Sequence, residues 1–560
     1  MPHTPRVPQS PTFPLTRRPL LHALTRACGF LLLPCQSSLA AIHEHAGHSH
    51  AGHAHHNHGK AAPASGVRTL EIASPWEITG LQPASSGYIF TRLQVAETLV
   101  DVDHDGNLTG GLASQWQRSD DGLTWRFTLR PGTRFHDGGA VTAEALLPSL
   151  KAARVDPAVL SLAPIADIRA ENPQTLRIQL SKPYGALPAL LAHSSTLILA
   201  PASFDAKGLV RQIIATGPYR IERMTPPQQL TTLRFDGYDG ARPAIERVHY
   251  LAAGRAETRA LMAESGQADL AYTLDPASLQ RLRARKAVQI ESTTLPRTTL
   301  LKLNSGLPAL RDVRVRQALS AAIDRRGIST ALLRAPDLAA TQLMPPSLPA
   351  WHDTSLPPLG FDLARAERQL ADAGWKKDAK NQLRNAQGDA MSLTLLTFPD
   401  RPELPMIATA LQAQWKKLGI DVKVNIGNSG DIPLAHRDGS LQLGLAARNY
   451  GNVPDPIGVL AQDFAPGGGD WGAMGWSSAP LDQAISSLAS GTVAPDAQLP
   501  LRREITRILQ TELPVIPVTW YQQQVAVSPR IEGVSLDPYE RSYRITDMHW
   551  KAPPEAAKVK

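Results

Sequence analysis

The sequence predicts an α/β protein, on three observations. Residues 124–130 alternate, with Trp125, Phe127 and Leu129 on one face and Thr124, Arg126, Thr128 and Arg130 on the other, the period of a half-buried strand. In the second half, residues 393–396 are strand-like, 406–418 helical and 420–426 strand-like, the strand–helix–strand order of an α/β layer. The 560 residues, 42% apolar and 19% charged, suffice for two or three domains with ordinary cores.

The first 40 residues carry Arg6, Arg17, Arg18 and Arg26 and no Asp or Glu, followed by a mostly apolar run at 27–33 and then Ser38-Leu39-Ala40. This pattern predicts a secretory signal peptide (1–40) cut near Ala40, with a twin-arginine character at Thr16-Arg17-Arg18-Pro19. Both cysteines, Cys28 and Cys35, fall inside it, so the expected mature chain has neither disulfide nor thiol chemistry. Pro34 argues against lipidation of Cys35. Loss of the four arginines lowers the formal charge from +8 to about +4, which argues for no nucleic-acid partner. No later stretch reaches the ~20 apolar residues that span a bilayer. The expected product is periplasmic.

Residues 41–66 read as a His-rich linker. Within it, HEHAGHSHAGHAHHNH holds His43, His45, His48, His50, His53, His55, His56 and His58 among small and polar residues that cannot build a core. Neutral imidazoles suit nickel, zinc, cobalt and copper, so this tract is the candidate metal site, although no cofactor is required. The plain alternative is a solvated tether.

Order is expected from about Val67. Residues 69–73 read as a strand and 93–100 as a helix. Asp121-Gly122 and Pro131-Gly132 are turns flanking the 124–130 strand, and Thr142 is an N-cap with Glu144 in the first helical turn. Residues 149–162 read as helix and 167–180 as a hairpin broken at Asn172-Pro173. DVRVRQALSAAIDR at 312–325 is an amphipathic helix with Val315, Ala318, Leu319, Ala322 and Ile323 on its buried stripe, leaving its arginines to solvent or an interface. DLARAERQLADAGW at 362–375 is a helix ended by Gly374, and 504–513 is a late helix.

Several of these stretches together resemble one family. LASQWQRSDDGLTWRFTLRPGTRFHDGGAVTAEAL at 112–146, TGPY at 216–219, the 312–325 and 362–375 helices and LPVIPV at 513–518 are similar to the signature segments of the family 5 extracellular solute-binding proteins. These are the receptors of peptide, nickel and opine-metallophore ABC importers. The resemblance covers roughly residues 67–550. It implies a two-lobed periplasmic-binding-protein fold, type II and large cluster C-like, with mixed sheets and a hinge. Lobe I is expected at 67–298 and 521–560, and lobe II at 299–520. It also implies a monomer that closes on a peptide-like molecule or a metal chelate (nickel or similar) and delivers it to ABC permease subunits of the inner membrane.

No hydrolase elbow, HExxH or phosphate loop is present, so an enzyme is not expected. The candidate ligand contacts are Tyr88, Arg448, Tyr450, Asn452, Trp471 and Trp476, because aromatic walls with a few directed hydrogen bonds hold small ligands. The chain departs from both substrate subclasses. Peptide-binding members place an aspartate three positions before a DP or EP pair; here Asn452 precedes Asp455-Pro456, and an amide lacks that charge-assisted bond. Nickel-chelate members carry a histidine further along and an arginine before an earlier strand end. Here residues 465–470 hold no histidine, and the second neighbourhood reads His193-Ser194-Ser195-Thr196. The alternative function is an exported metal-buffering or metallochaperone protein acting through the His-rich tract.

Overall fold

The computed structural model describes residues 67–552 except 156, 157, 286, 287, 400, 402, 465, 467 and 468. The His-rich tract and the cleavage region at Ala40 lie outside the described residues, which belong to one compact unit.

The frame is a ten-stranded mixed sheet. Its order is Asp421–Ile426, Ser392–Thr397, Leu443–Asn449, Gln289–Leu303, Val515–Val527, Leu270–Tyr272, Thr69–Ser74, Arg247–Ala252, Gln229–Arg234 and Tyr219–Thr225. The first three strands belong to one lobe and the last five to the other. The two long strands between them pair antiparallel and carry the chain from lobe to lobe. The expected boundaries at 298/299 and 520/521 fall inside this ladder, where Thr298 faces Trp520.

The ladder is regular except at its middle, with register shifts between Leu295 and Thr298 and between Thr299 and Leu300. The sequence explains the break. Pro296 and Pro517 have no N–H to donate, so each sits where regular pairing lapses. Pro296 O instead accepts from Tyr450 N at 2.7 Å. The bulge re-aims Arg297, which pairs with Asn449 on its other edge.

A second, four-stranded antiparallel sheet rides on the first lobe: Ala113–Arg118, Thr124–Leu129, Thr175–Leu180 and Ile165–Asn172. Its core holds Trp125, Phe127 and Leu129, the three residues on one face of the alternating strand. Thr142 Oγ1 accepts from Ala145 N at 3.3 Å and starts the helix Ala143–Ala152. The main core of this lobe surrounds Leu70, Ile72, Phe90 and Tyr250. The other lobe packs around fully buried Trp415, whose Nε1 donates to Leu319 O at 3.0 Å. A further cluster around Tyr450, Phe464 and Trp351 takes in Ala186 and Tyr539 from across the cleft.

Some expectations are corrected. Residues 93–100 are not helical. The helix is Pro83–Arg92, with proline at its first turn, and Gln94 turns left-handed at φ 54° so that Val95 O can receive Gly217 N. The 149–162 helix divides into Ala143–Ala152 and a short 3₁₀ turn at Val159–Leu162. The late helix begins earlier, at Pro495–Glu512. Arg316, on the helix Val313–Ala321, is buried rather than solvated and donates to the carbonyls of Leu310, Arg311 and Glu512. Arg325 does the same to Ser320 and Pro517. Arg316 thus satisfies orphan carbonyls at two helix ends, a role that periodicity does not reveal.

Candidate functional site

A cavity of about 350 Å³ opens between the lobes beside the broken stretch of the crossing ladder. Four parts of the chain supply its polar wall. The bulge brings Arg297, and the helix Pro83–Arg92 brings Tyr88 and Arg92, one turn apart. The returning C-terminal segment brings Glu540, and the strand Leu443–Asn449 with the loop after it brings Asn449 and Asn452.

Glu540 is the centre of the charge arrangement. Arg297 Nη2 donates to its Oε2 at 2.6 Å, and the two side chains are only 9% and 10% exposed. Arg92 Nε donates to the Glu540 backbone carbonyl at 2.8 Å, and Arg92 Nη2 lies 3.8 Å from Oε1. Burial disfavours an ionised carboxyl here, but Arg297, Arg92 and Arg401 outweigh it and hold Glu540 below the usual glutamate range.

The arginines also lean on aromatic faces. Trp76 and Tyr88 meet edge-on at 6.5 Å, and the Arg92 guanidinium lies 5.5 Å and 5.3 Å from their ring centres. Tyr521 is approached by Arg297 at 4.9 Å and Arg401 at 5.0 Å, and its Oη accepts from Arg401 Nη1 at 2.9 Å.

The balance is positive. Two buried guanidiniums, Arg92 and Arg297, share one carboxylate. Arg541, also on the wall, is occupied by Asp101 and by the Ala192 carbonyl. His193 adds no charge at neutral pH, because burial, with Arg541 beside it, pushes it down to about 4. A positive surplus beside aromatic rings suits an anionic group on a ligand with an apolar face. Among the described residues, no three His, Cys, Asp or Glu side chains are grouped to hold a metal ion.

Of the six candidate contacts, the structure brings Tyr88 and Asn452 to this cavity. It places the other four elsewhere. Arg448 is bidentate to buried Asp463, at 2.7 Å and 2.8 Å. Tyr450 is fully buried in the interlobe cluster, its hydroxyl without a partner among the described residues. Trp471 packs edge-on against Phe398 in the second-lobe core. Trp476 donates from Nε1 to Glu512 Oε2 at 2.8 Å and meets Phe464 edge-on. The neighbourhood where nickel-chelate members carry an arginine does reach the cavity, through His193 and Ser194. Arg92, Arg297 and Glu540 were not anticipated. Only Arg297 carried a local signal, the proline before it inside an otherwise strand-like run.

A family model described as bacterial extracellular solute-binding proteins, family 5 Middle, matches residues 107–471. The chain is 27% identical to the nickel-binding periplasmic protein of Escherichia coli (strain K12) over 490 residues, covering 83% of this chain and 93% of that one. It is 25% identical to the glutathione-binding protein GsiB of Salmonella paratyphi A, covering 66% and 72%. Among solved structures, NikA from Brucella suis in complex with Fe(III)-EDTA shares the fold, with a TM-score of 0.79 at 23% identity, covering 86% of this chain and all of that one.

Proposed function

The chain belongs to the bacterial extracellular solute-binding proteins, family 5, and on that premise we propose that it is the periplasmic receptor of an ABC importer for a small carboxylate-bearing ligand, either peptide-like or a metal chelate. The observation that carries this reading is the pair of buried guanidiniums, Arg92 and Arg297, sharing the Glu540 carboxylate on the cavity wall. A ligand carboxylate entering there restores one anion per arginine. It does so where water is largely excluded, and charge-assisted bonds are strongest there.

Both proposed ligand types present such a group. A peptide-like molecule offers its terminal carboxylate, and a carboxylate chelate offers several. The similarity to a nickel-binding, a glutathione-binding and an Fe(III)-EDTA-bound protein supports this chemistry. A bare divalent cation would be repelled by the surplus, so a metal is expected to arrive as an anionic complex. Asn452 and Asn449 supply amide donors and acceptors from the second lobe, and Tyr88 and Trp76 an apolar wall from the first. The lobes then close about the crossing strands, bending where Pro296 and Pro517 interrupt the ladder, and the closed form docks on the permease.

The test is mass spectrometry of whatever the purified protein releases on gentle unfolding. It is followed by calorimetry with nickel(II)-EDTA, glutathione and a dipeptide. A released carboxylate, and binding of at least one of these probes, is the expected result. Release of a neutral or purely cationic molecule, with none of the three bound, would overturn the reading.

A further inference from the structure

A second cavity, of about 420 Å³, lies against the same crossing strands and shares no lining residue with the first. One side is the turn and helix beginning at Leu274 in the first lobe. The other is the turn at 331–338 and the start of the helix Glu403–Lys416 in the second lobe, with Thr519, Trp520 and Tyr521 between them. Much of its surface is hydrocarbon: Leu274, Leu332, Leu333, Leu338, Met406 and the Trp520 ring. Trp520 Nε1 is already committed to the Gln342 carbonyl at 3.1 Å, so the ring presents an apolar face.

The polar groups on this wall share a deficiency. Glu403 Oε1, Asp275 Oδ2 and Thr299 Oγ1 are all buried and all without a hydrogen-bond partner among the described residues. Thr299 is only 1% exposed. Asp275 spends its other oxygen, Oδ1, on Ser278 N at 2.9 Å, at the head of the helix Pro276–Arg285. Three unmet acceptors on one cavity are unusual, because buried polar atoms are nearly always paired.

The nearby cations do not meet the need. Arg401, two residues before Glu403, donates to Tyr521 Oη rather than to the carboxylate. Arg334 lines the cavity from a left-handed residue at φ 56°, is exposed, and forms no ion pair among the described residues. What is missing is a donor that reaches the buried oxygens on an apolar stem. Burial raises the Glu403 carboxyl above its usual range and outweighs the opposing charges of Arg401 and Arg297.

We propose that this second cavity is a binding site for a small organic cation, an ammonium group on a hydrocarbon or aromatic stem, with Glu403, Asp275 and Thr299 receiving the ammonium and Leu338, Met406 and Trp520 the stem. A smaller pocket lined by Trp76, Leu274, Arg297, Tyr521 and Glu540 lies between this site and the anion-binding cavity, and the proposal does not depend on the identity of the ligand there.

The test uses the full chain and two probes of equal size, 4-phenylbutylamine and 4-phenyl-1-butanol, followed by saturation-transfer NMR and calorimetry near neutral pH. The amine is expected to bind at least about tenfold more tightly than the alcohol, as a charge-assisted contact requires. Glu403→Gln and Asp275→Asn should bring the amine down toward the alcohol. Both variants should keep the far-ultraviolet spectrum and the melting temperature of the parent, and Asp275→Asn should leave binding in the first cavity unchanged. Equal binding of amine and alcohol, or no binding of either at millimolar concentration, overturns the proposal. The probe comparison on the unmodified chain decides the matter even if a variant fails to fold. Unchanged amine affinity in a folded Glu403→Gln protein overturns it as well.

Discussion

Replacing Arg297 by methionine tests the charge arrangement of the first cavity without knowledge of the ligand. Methionine keeps much of the stem but removes the group that donates to Glu540 Oε2 at 2.6 Å. Breaking a buried ion pair by removing one partner costs about 3–5 kcal/mol. Arg92 remains 3.8 Å from Oε1 and still donates to the Glu540 carbonyl, so the lower end, about 3 kcal/mol, is expected. The sign with pH follows from linkage. In the parent, the Glu540 carboxyl lies below its unfolded value of about 4.3, so its contribution is complete above that pH and is lost as pH falls through the lower folded value. In the variant, burial is less opposed and the folded value rises. Acid then protonates Glu540, and the missing partner matters less. The deficit measured by urea unfolding should therefore be largest near pH 7 and shrink toward about pH 4.5. Affinity for a carboxylate ligand should fall roughly 10- to 150-fold, the worth of one charged hydrogen bond. A deficit below about 1 kcal/mol, or one independent of pH, would refute the reasoning.

The remaining expectations can be checked separately. Tyr450→Phe removes a buried hydroxyl without a partner among the described residues, so stability should hold or rise by up to about 1 kcal/mol with ligand binding unchanged, whereas Tyr88→Ala and Asn452→Ala should weaken binding in calorimetry. Lys302 is 1% exposed, donates to the carbonyls of Gly469 and Gly472 at 2.7 Å and 2.6 Å, and is pushed down to about 7 by burial despite Asp463 and Asp470. Its folded value lies below the unfolded one, so stability should rise by about 2 kcal/mol from pH ~7 to ~9, and Lys302→Met should remove that slope from urea-unfolding data. Deleting residues 43–58 should abolish binding of several nickel or zinc ions, which fades as pH falls through ~6.5, while leaving the cavity ligand's affinity intact; equal ion counts by calorimetry would reduce the tract to a tether. The intact mass of periplasmic protein should show cleavage near Ala40.

What was legible in the sequence, and what was not, divides by the range of the forces involved. The strand at Thr124–Leu129 could be read because burial on one side of a pleated chain imposes a period of two on neighbours. The helix Leu363–Asp372 could be read because its ends are set by local bonds: Asp362 accepts from Arg365 N at 2.8 Å, and Gly374 follows at φ 86°. The cavity obeys no such local rule. Arg297 meets Glu540 across 243 positions, and Arg92 meets it across 448. A search of the sequence for aromatic and polar side chains therefore selected residues of the right chemistry without knowing where they would sit. It gathered Tyr88 and Asn452, which line the cavity, together with Tyr450 and Trp476, whose rings the cores use.

The same contrast explains why the one local clue to the site was a proline and not a charged residue. An arginine inside a strand is compatible with many faces, and its type says nothing about its partner. Pro296 removes a ladder donor from the middle of a central strand, and the register shift between Leu295 and Thr298 is its direct consequence. The shift frees Pro296 O for Tyr450 N and turns Arg297 toward Glu540. A backbone defect thus fixes the position of the charge, and the ladder on either side holds that defect in place. Pro296→Ala should let the ladder close up at this point. Arg297 would then tend back toward the regular strand face, and ligand affinity should fall while overall stability changes little. If affinity were unchanged, the bulge would not be what positions the arginine.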